Sequence, residues 1–165
     1  MKKFELTSEF ITNIFGTKLF RIKALIEFGN VKAGELGGFV EKEENLSQDG
    51  NAWVYDNARV YGDARAYGDA RVYGDACVCG DACVCGDARV CGDAGYATVH
   101  GFGSEYRTTT FFKTKAGDIG VKCGCFYGNL SEFRKKVVET HGETKKAKEY
   151  LMLADLMEFR FSDNS

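Results

Sequence analysis

The sequence contains no proline in 165 residues and no long apolar run. The first absence suits a chain in which almost every backbone N–H is needed as a strand-ladder donor, because proline has none to give. The second leaves no candidate for a membrane-spanning helix, which needs about 18 or more apolar residues in a row. An excess of one charge is missing too, since 22 basic side chains face 24 acidic ones and the net charge is -2. No overall field therefore draws the protein onto nucleic acid or an anionic membrane, and a polyanionic DNA mimic is excluded. Histidine is scarce, with only His100 and His141. A three-histidine zinc centre of the γ-carbonic-anhydrase kind is disfavoured, because one chain holds only two. The basic residues Lys2 and Lys3 are not followed by an apolar stretch, so no secretory signal is read and a cytoplasmic protein is expected.

What is present begins with enough apolar (44%) and aromatic (13%) residues to build a core. Of the seven cysteines, Cys77, Cys79, Cys83, Cys85 and Cys91 occupy places where other copies of an internal repeat carry Arg or Tyr. That pattern reads as substitution at surface sites, with reduced thiols, rather than as a disulfide framework.

The repeat starts at Asn51. The chain runs Asn-Ala-Trp-Val-Tyr-Asp, Asn-Ala-Arg-Val-Tyr-Gly, Asp-Ala-Arg-Ala-Tyr-Gly and onward with a period of six and no slip, at least to residue 94. The second and fourth positions of each copy are apolar, as in Ala70 and Val72, and the third and fifth hold Arg, Tyr or Cys. Such alternation is a strand with one buried face. Gly-Asp or Gly-Asn between copies is turn chemistry, because glycine accepts positive φ and Asp or Asn bonds the local backbone. Short strands separated by bends at a fixed period of six describe a coil and not a meander of hairpins. Ala64, Ala70, Val72, Ala76, Val78, Ala82 and Val84 are expected inside it.

Phased as Val-Tyr-Gly-Asp-Ala-Arg, the unit resembles the hexapeptide of left-handed parallel β-helices. The resemblance implies three hexads per triangular coil, so that residues 18 apart stack. The lead-in Leu-Phe-Arg-Ile-Lys-Ala-Leu, followed by Val-Lys-Ala-Gly-Glu-Leu-Gly-Gly, also resembles uncharacterised bacterial and phage proteins with Gly-Asp-Ala-Arg-Val-Tyr arrays that are called transferases on the strength of the repeat. The fold class expected is mainly β: a short left-handed parallel β-helix, or hexapeptide solenoid, over residues 39–103. Residues 1–38 are expected to form an N-terminal β cap, and 104–165 a C-terminal ββαα segment.

In the N-terminal segment, Phe20, Ile22, Ala24, Ile26 and Phe28 alternate with polar residues and predict a strand. Downstream, Tyr106 to Thr114 and Asp118 to Cys125 predict a hairpin. Asn129 with Glu132 three residues on predicts a capping box, and Gly142 a helix stop. A second helix is expected from about Thr144 to Phe159.

Several candidate sites follow. With an 18-residue coil, Trp53, Tyr55, Arg71, Tyr73 and Arg89 share one face, an aromatic and guanidinium stripe rich in the residue types of interface hot spots. The other two faces decay from Arg and Tyr to Cys, Gly and Ala. Outward Arg134, Lys135, Lys145 and Lys148 on the helix pair form a secondary candidate surface. His100 is the residue an acyltransferase of the hexapeptide type would use as general base. The Cys-x-Cys pairs (Cys77/Cys79, Cys83/Cys85, Cys123/Cys125) suit a soft metal by spacing, but no second pair stacks on either of the first two. The column Asp63, Asp69, Asp75, Asp81, Asp87 and Asp93 reads as turn capping rather than calcium binding.

The expectation is a non-enzymatic scaffold that binds another protein or nucleoprotein complex without metal or cofactor. The phage resemblance suggests an antagonist of a host defence complex. Direct nucleic-acid binding is opposed by the interleaved Asp residues, and a homo-oligomer is left open. The alternative is an acyltransferase-like enzyme using His100.

Overall fold

The computed structural model describes residues 1–92, 95–102 and 108–162. The chain forms two units, Met1–Gly95 and Tyr96–Ser165.

The first unit opens with β1 (Phe4–Thr12), β2 (Lys18–Ala24) and β3 (Leu36–Val40), joined antiparallel in that order. Ile22 and Ala24 are buried as the alternation predicts. Leu19 is buried as well, out of phase with them, while Phe20 is only half-buried and packs on Phe10.

The repeat supplies β4 (Trp53–Val54), β5 (Arg59–Val60), β6 (Arg65–Ala66), β7 (Arg71–Tyr73), β8 (Cys77–Val78), β9 (Cys83–Val84) and β10 (Arg89–Cys91). Every pairing among them is parallel. Arg71 lies between Trp53 and Arg89, Cys77 lies beside Arg59, and Cys83 beside Arg65, each a step of 18 residues. Three faces result: β4-β7-β10, then β5-β8 extended by β3, then β6-β9. The seven interior residues expected from the alternation, from Ala64 to Val84, are all at 0% exposure.

Chain direction changes at glycines. Gly62 has φ 67°, and the Ala64 N–H donates to the Tyr61 carbonyl at 3.3 Å across it. A side chain is excluded twice over at Gly50, where φ is 71° and a Cβ would stand 2.8 Å from the Gly68 carbonyl oxygen of the next coil. In the first copy Asp56 occupies the glycine position with φ 55°. Of the Asp column, Asp63 accepts from Lys42 at 3.0 Å and Asp69 from Asn51 at 3.2 Å. Asp93 lies outside the described residues.

Two buried groups lie at the start of the repeat. Lys3 is 2% exposed and donates from Nζ to the carbonyls of Ala52 (2.8 Å) and Gly50 (3.4 Å). Burial, opposed by the charge of Asp49, lowers its pKa to about 8. Trp53 is at 0% exposure, edge-on to Phe4 and Phe28 at ring separations of 6.2 and 5.3 Å.

The second unit is an antiparallel sheet, β11 (Tyr96–Val99), β12 (Thr109–Lys113), β13 (Ile119–Cys123) and β14 (Phe126–Asn129), followed by α1 (Leu130–His141) and α2 (Lys145–Arg160). The sequence reading placed the boundary after residue 103 and expected two strands here. Instead Tyr96–Val99 leaves the hexad phase and pairs antiparallel with β12, and β14 adds a fourth strand. The expected strand start at Tyr106 lies outside the described residues. The capping box is present: Asn129 accepts from the Glu132 N–H and Glu132 from the Asn129 N–H. Gly142, with φ 60°, ends α1. Phe111, Phe133, Val137, Tyr150, Ala154 and Met157 form the centre of the core. No helix among the described residues is long and apolar enough to cross a membrane.

Candidate functional site

The β4-β7-β10 face carries an open hollow of about 370 Å³ lined by Tyr55, Asp56, Arg71, Tyr73 and Arg89. Four of these are stripe residues proposed from the 18-residue stacking, and the strand register brings them together. The fifth stripe residue is not there. Trp53 faces outward from the coil, but Phe4 and Phe28 cover it, so it is core and not contact surface. Its indole N–H has no hydrogen-bond partner among the described residues.

The lining residues are not equivalent. Arg89 is tied down, its Nη1 donating to the carbonyls of Asp69 and Ala88, both at 2.9 Å, and of Asp87 at 3.3 Å. Arg71 makes no ion pair or side-chain hydrogen bond with any described residue, and it shares the hollow with Asp56. Burial pushes the Tyr55 phenol above its ordinary pKa, and the positive charge of Arg71 pulls the other way. Asp56 was missed by the sequence reading. Its carboxylate accepts from the Gly74 N–H at 3.4 Å and fixes the rim of the hollow. The available signal was a residue other than glycine at the positive-φ corner.

The other two faces carry tyrosine next to thiol. Tyr61 hydrogen-bonds Cys79 and its pKa rises to about 12, the bond being the larger cause and burial the next. Tyr67 is raised further, first by burial and then by its bond to Cys85. Cys85 is buried at 3% exposure rather than lying at the surface as the sequence suggested, and none of the seven cysteines is in a disulfide.

On the helices, Arg134 bridges Asp155 at 2.9 Å and Glu158 at 3.2 Å. It is therefore engaged within the chain, whereas Lys135, Lys145 and Lys148 are exposed. His100 is exposed, with Nδ1 2.9 Å from the Thr108 hydroxyl. His141 stacks on Tyr150 at 5.8 Å and lines a hollow of about 220 Å³ with Cys123, Phe126, Phe133 and Lys136.

The three parallel faces and the register of 18 residues agree with the family model that matches this chain, the YdcK beta solenoid repeat, over residues 52–68. Residues 52–68 are thus similar to a known β-solenoid repeat. Among the curated proteins, this chain is similar to the "Uncharacterized acetyltransferase YdcK" of Escherichia coli (strain K12), 40% identical over 63 residues. That alignment takes in 34% of this chain and 19% of that protein, so the chain spans less than a fifth of its relative's length. The YdcK match supports the hexapeptide-repeat resemblance read from the sequence and leaves the β11-to-α2 unit without a counterpart in that family model.

Proposed function

We propose that this is a non-catalytic binding protein whose solenoid presents the Tyr55, Arg71, Tyr73 and Arg89 face to another protein or nucleoprotein complex. The observation that carries the reading is the hollow itself: two half-exposed tyrosines flank a guanidinium that no described residue neutralises. Tyrosine and arginine combine apolar area with directed polar bonds, which is why they dominate interface hot spots. The finer architecture belonging to this reading is a left-handed coil closed at each end by its flanking segments. An inhibitor of a host defence complex is the biological role that the resemblance to phage proteins suggests.

The test is capture from a native-host lysate by the wild type and by the double variant Arg71→Ala, Tyr73→Ala, followed by affinity measurement on whatever the wild type retains. The double variant should fold normally and lose about 2 kcal/mol or more of binding. Retention of the same partner at unchanged affinity would exclude this face.

The second reading is an acyl-transferring enzyme, favoured by the name of the E. coli relative. His100 is its base: Thr108 occupies Nδ1, leaving Nε2 to take a proton from an acceptor hydroxyl or amine. Measurable acetyl-coenzyme A binding, with turnover lost in His100→Ala, would establish that reading over the first.

A further inference from the structure

We propose that the hollow between α1, α2 and the β13-β14 turn binds a small aromatic carboxylate. Its two layers are laid out along one helix. Lys136, Val137, Thr140 and His141 follow Phe133 by three, four, seven and eight residues, so all five lie on one side of α1. Phe133 and Val137 are buried and form the floor with Tyr150 of α2, while Lys136 and Thr140 are exposed and form the mouth. Cys123 of β13 and Phe126 of β14, paired in the strand register, close the far wall.

The floor sets the shape that fits. Phe133 meets Phe126 and Tyr150 at 5.7 Å in each case, with planes inclined by 56° and 86°. Rings at such angles make a corner of faces and edges, which a further flat ring can meet offset or edge-on. The Cys123 sulfur, held by the Thr109 hydroxyl at 3.2 Å, adds a polarisable contact of a kind that favours aromatic rings. At about 220 Å³ the hollow exceeds the ~150 Å³ that takes up one benzene ring, which leaves room for a short acidic substituent.

The mouth sets the charge. Its polar groups are the Lys136 ammonium, the Thr140 hydroxyl and the His141 imidazole, all able to donate, and among the described residues no carboxylate lines the hollow. Neither the Lys136 nor the His141 side chain has an ion pair or hydrogen bond with a described residue, and His141 is positioned by stacking on Tyr150. A ligand carboxylate at the mouth receives a charge-assisted bond from Lys136 and a second bond from Thr140 or His141, while its ring fills the floor.

The experiment is titration of the isotope-labelled full chain with phenylacetate, phenylacetamide and acetate, followed by amide NMR shifts. Phenylacetate should saturate with a Kd of about 1 mM or below, shifting residues of α1, α2 and the β13-β14 turn. It should bind about tenfold more tightly than phenylacetamide, which lacks the charge, or acetate, which lacks the ring. Lys136→Gln, at an exposed position, should remain folded and lose most of the preference for the acid over the amide. The Cys123 thiol gives an independent reading: saturating phenylacetate should slow its alkylation by iodoacetamide and leave that of exposed Cys125 unchanged. No saturation below about 20 mM, equal affinity for acid and amide, shifts centred on Arg71 and Tyr73 instead, or a Cys123 alkylation rate indifferent to phenylacetate overturns the proposal.

Discussion

The two units of this chain reach a buried core by opposite means. In Met1–Gly95 the coil interior is alanine and valine, and no large side chain enters it between Ala58 and Val90. In Tyr96–Ser165 the core is a cluster of rings, with Phe133 in contact with Phe111, Phe126 and Tyr150 at 5.7 to 6.0 Å. The solenoid therefore depends on backbone pairing repeated at a fixed register, with small residues permitting the three faces to approach. The second unit depends on a few large contacts, each buried by several neighbours.

The largest expected effect tests this contrast directly. Val78→Asp puts a carboxylate among alanines and valines that offer it no donor, and should destabilise the first unit by more than about 4 kcal/mol. Hydrogen exchange on the full chain should show protection lost over residues 51–92 while the helices keep theirs. The matched change, Phe133→Ala, removes one ring from three partners and should cost about 3 to 5 kcal/mol in the second unit. Equal loss of protection in both units from either substitution would break the comparison.

A smaller effect concerns Lys3, whose folded pKa of about 8 lies below its ordinary value of 10.5. Between those values the unfolded chain binds the proton and the folded one does not, so stability rises with pH across that window. Tyr61, raised from 10.0 to about 12, has the opposite sign: the folded state holds its proton longer, and stability falls as pH climbs through that range. Denaturant midpoints should accordingly increase from about pH 8 to 10 and turn over above it. Lys3→Met should abolish the rise and leave the fall.

The smallest effect separates the cysteines. Serine at Cys77, Cys79 and Cys83, which are half-exposed, should change stability by less than about 0.5 kcal/mol each. Buried Cys85 should cost more, about 1 kcal/mol. Thermal melts of the four single variants would separate the half-exposed thiols from the buried one.

The coil interior was legible in the sequence because alternation and a strict period of six jointly determine which positions face in and which residues stack. Trp53 was misplaced for a reason built into that logic. Alternation reports that a side chain leaves the coil, but Phe4 and Phe28, which then cover it, lie in a segment without the repeat. Tyr96–Val99 was assigned to the coil because it follows the last hexad without a break, whereas its antiparallel partner, Thr109–Phe112, lies beyond an intervening stretch. Asn129 and Gly142 were readable because a helix terminus is a local problem solved by local residues. The hollow at Arg71 was half-legible: stacking identified Tyr55, Arg71, Tyr73 and Arg89, while the rim carboxylate of Asp56 depends on a backbone conformation that no alternation reports.

The 18-residue register also restricts how this protein can change in length. Gaining or losing one residue in the repeat would turn every later side chain inside out, and gaining one hexad would keep the interior but rotate each following face by a third of a turn. Only a whole coil can be added without disturbing what lies beneath Arg71 and Arg89. Descent by duplication would thus lengthen the exposed stripe in steps of one arginine and one aromatic place, making the size of the contact surface a discrete, heritable quantity.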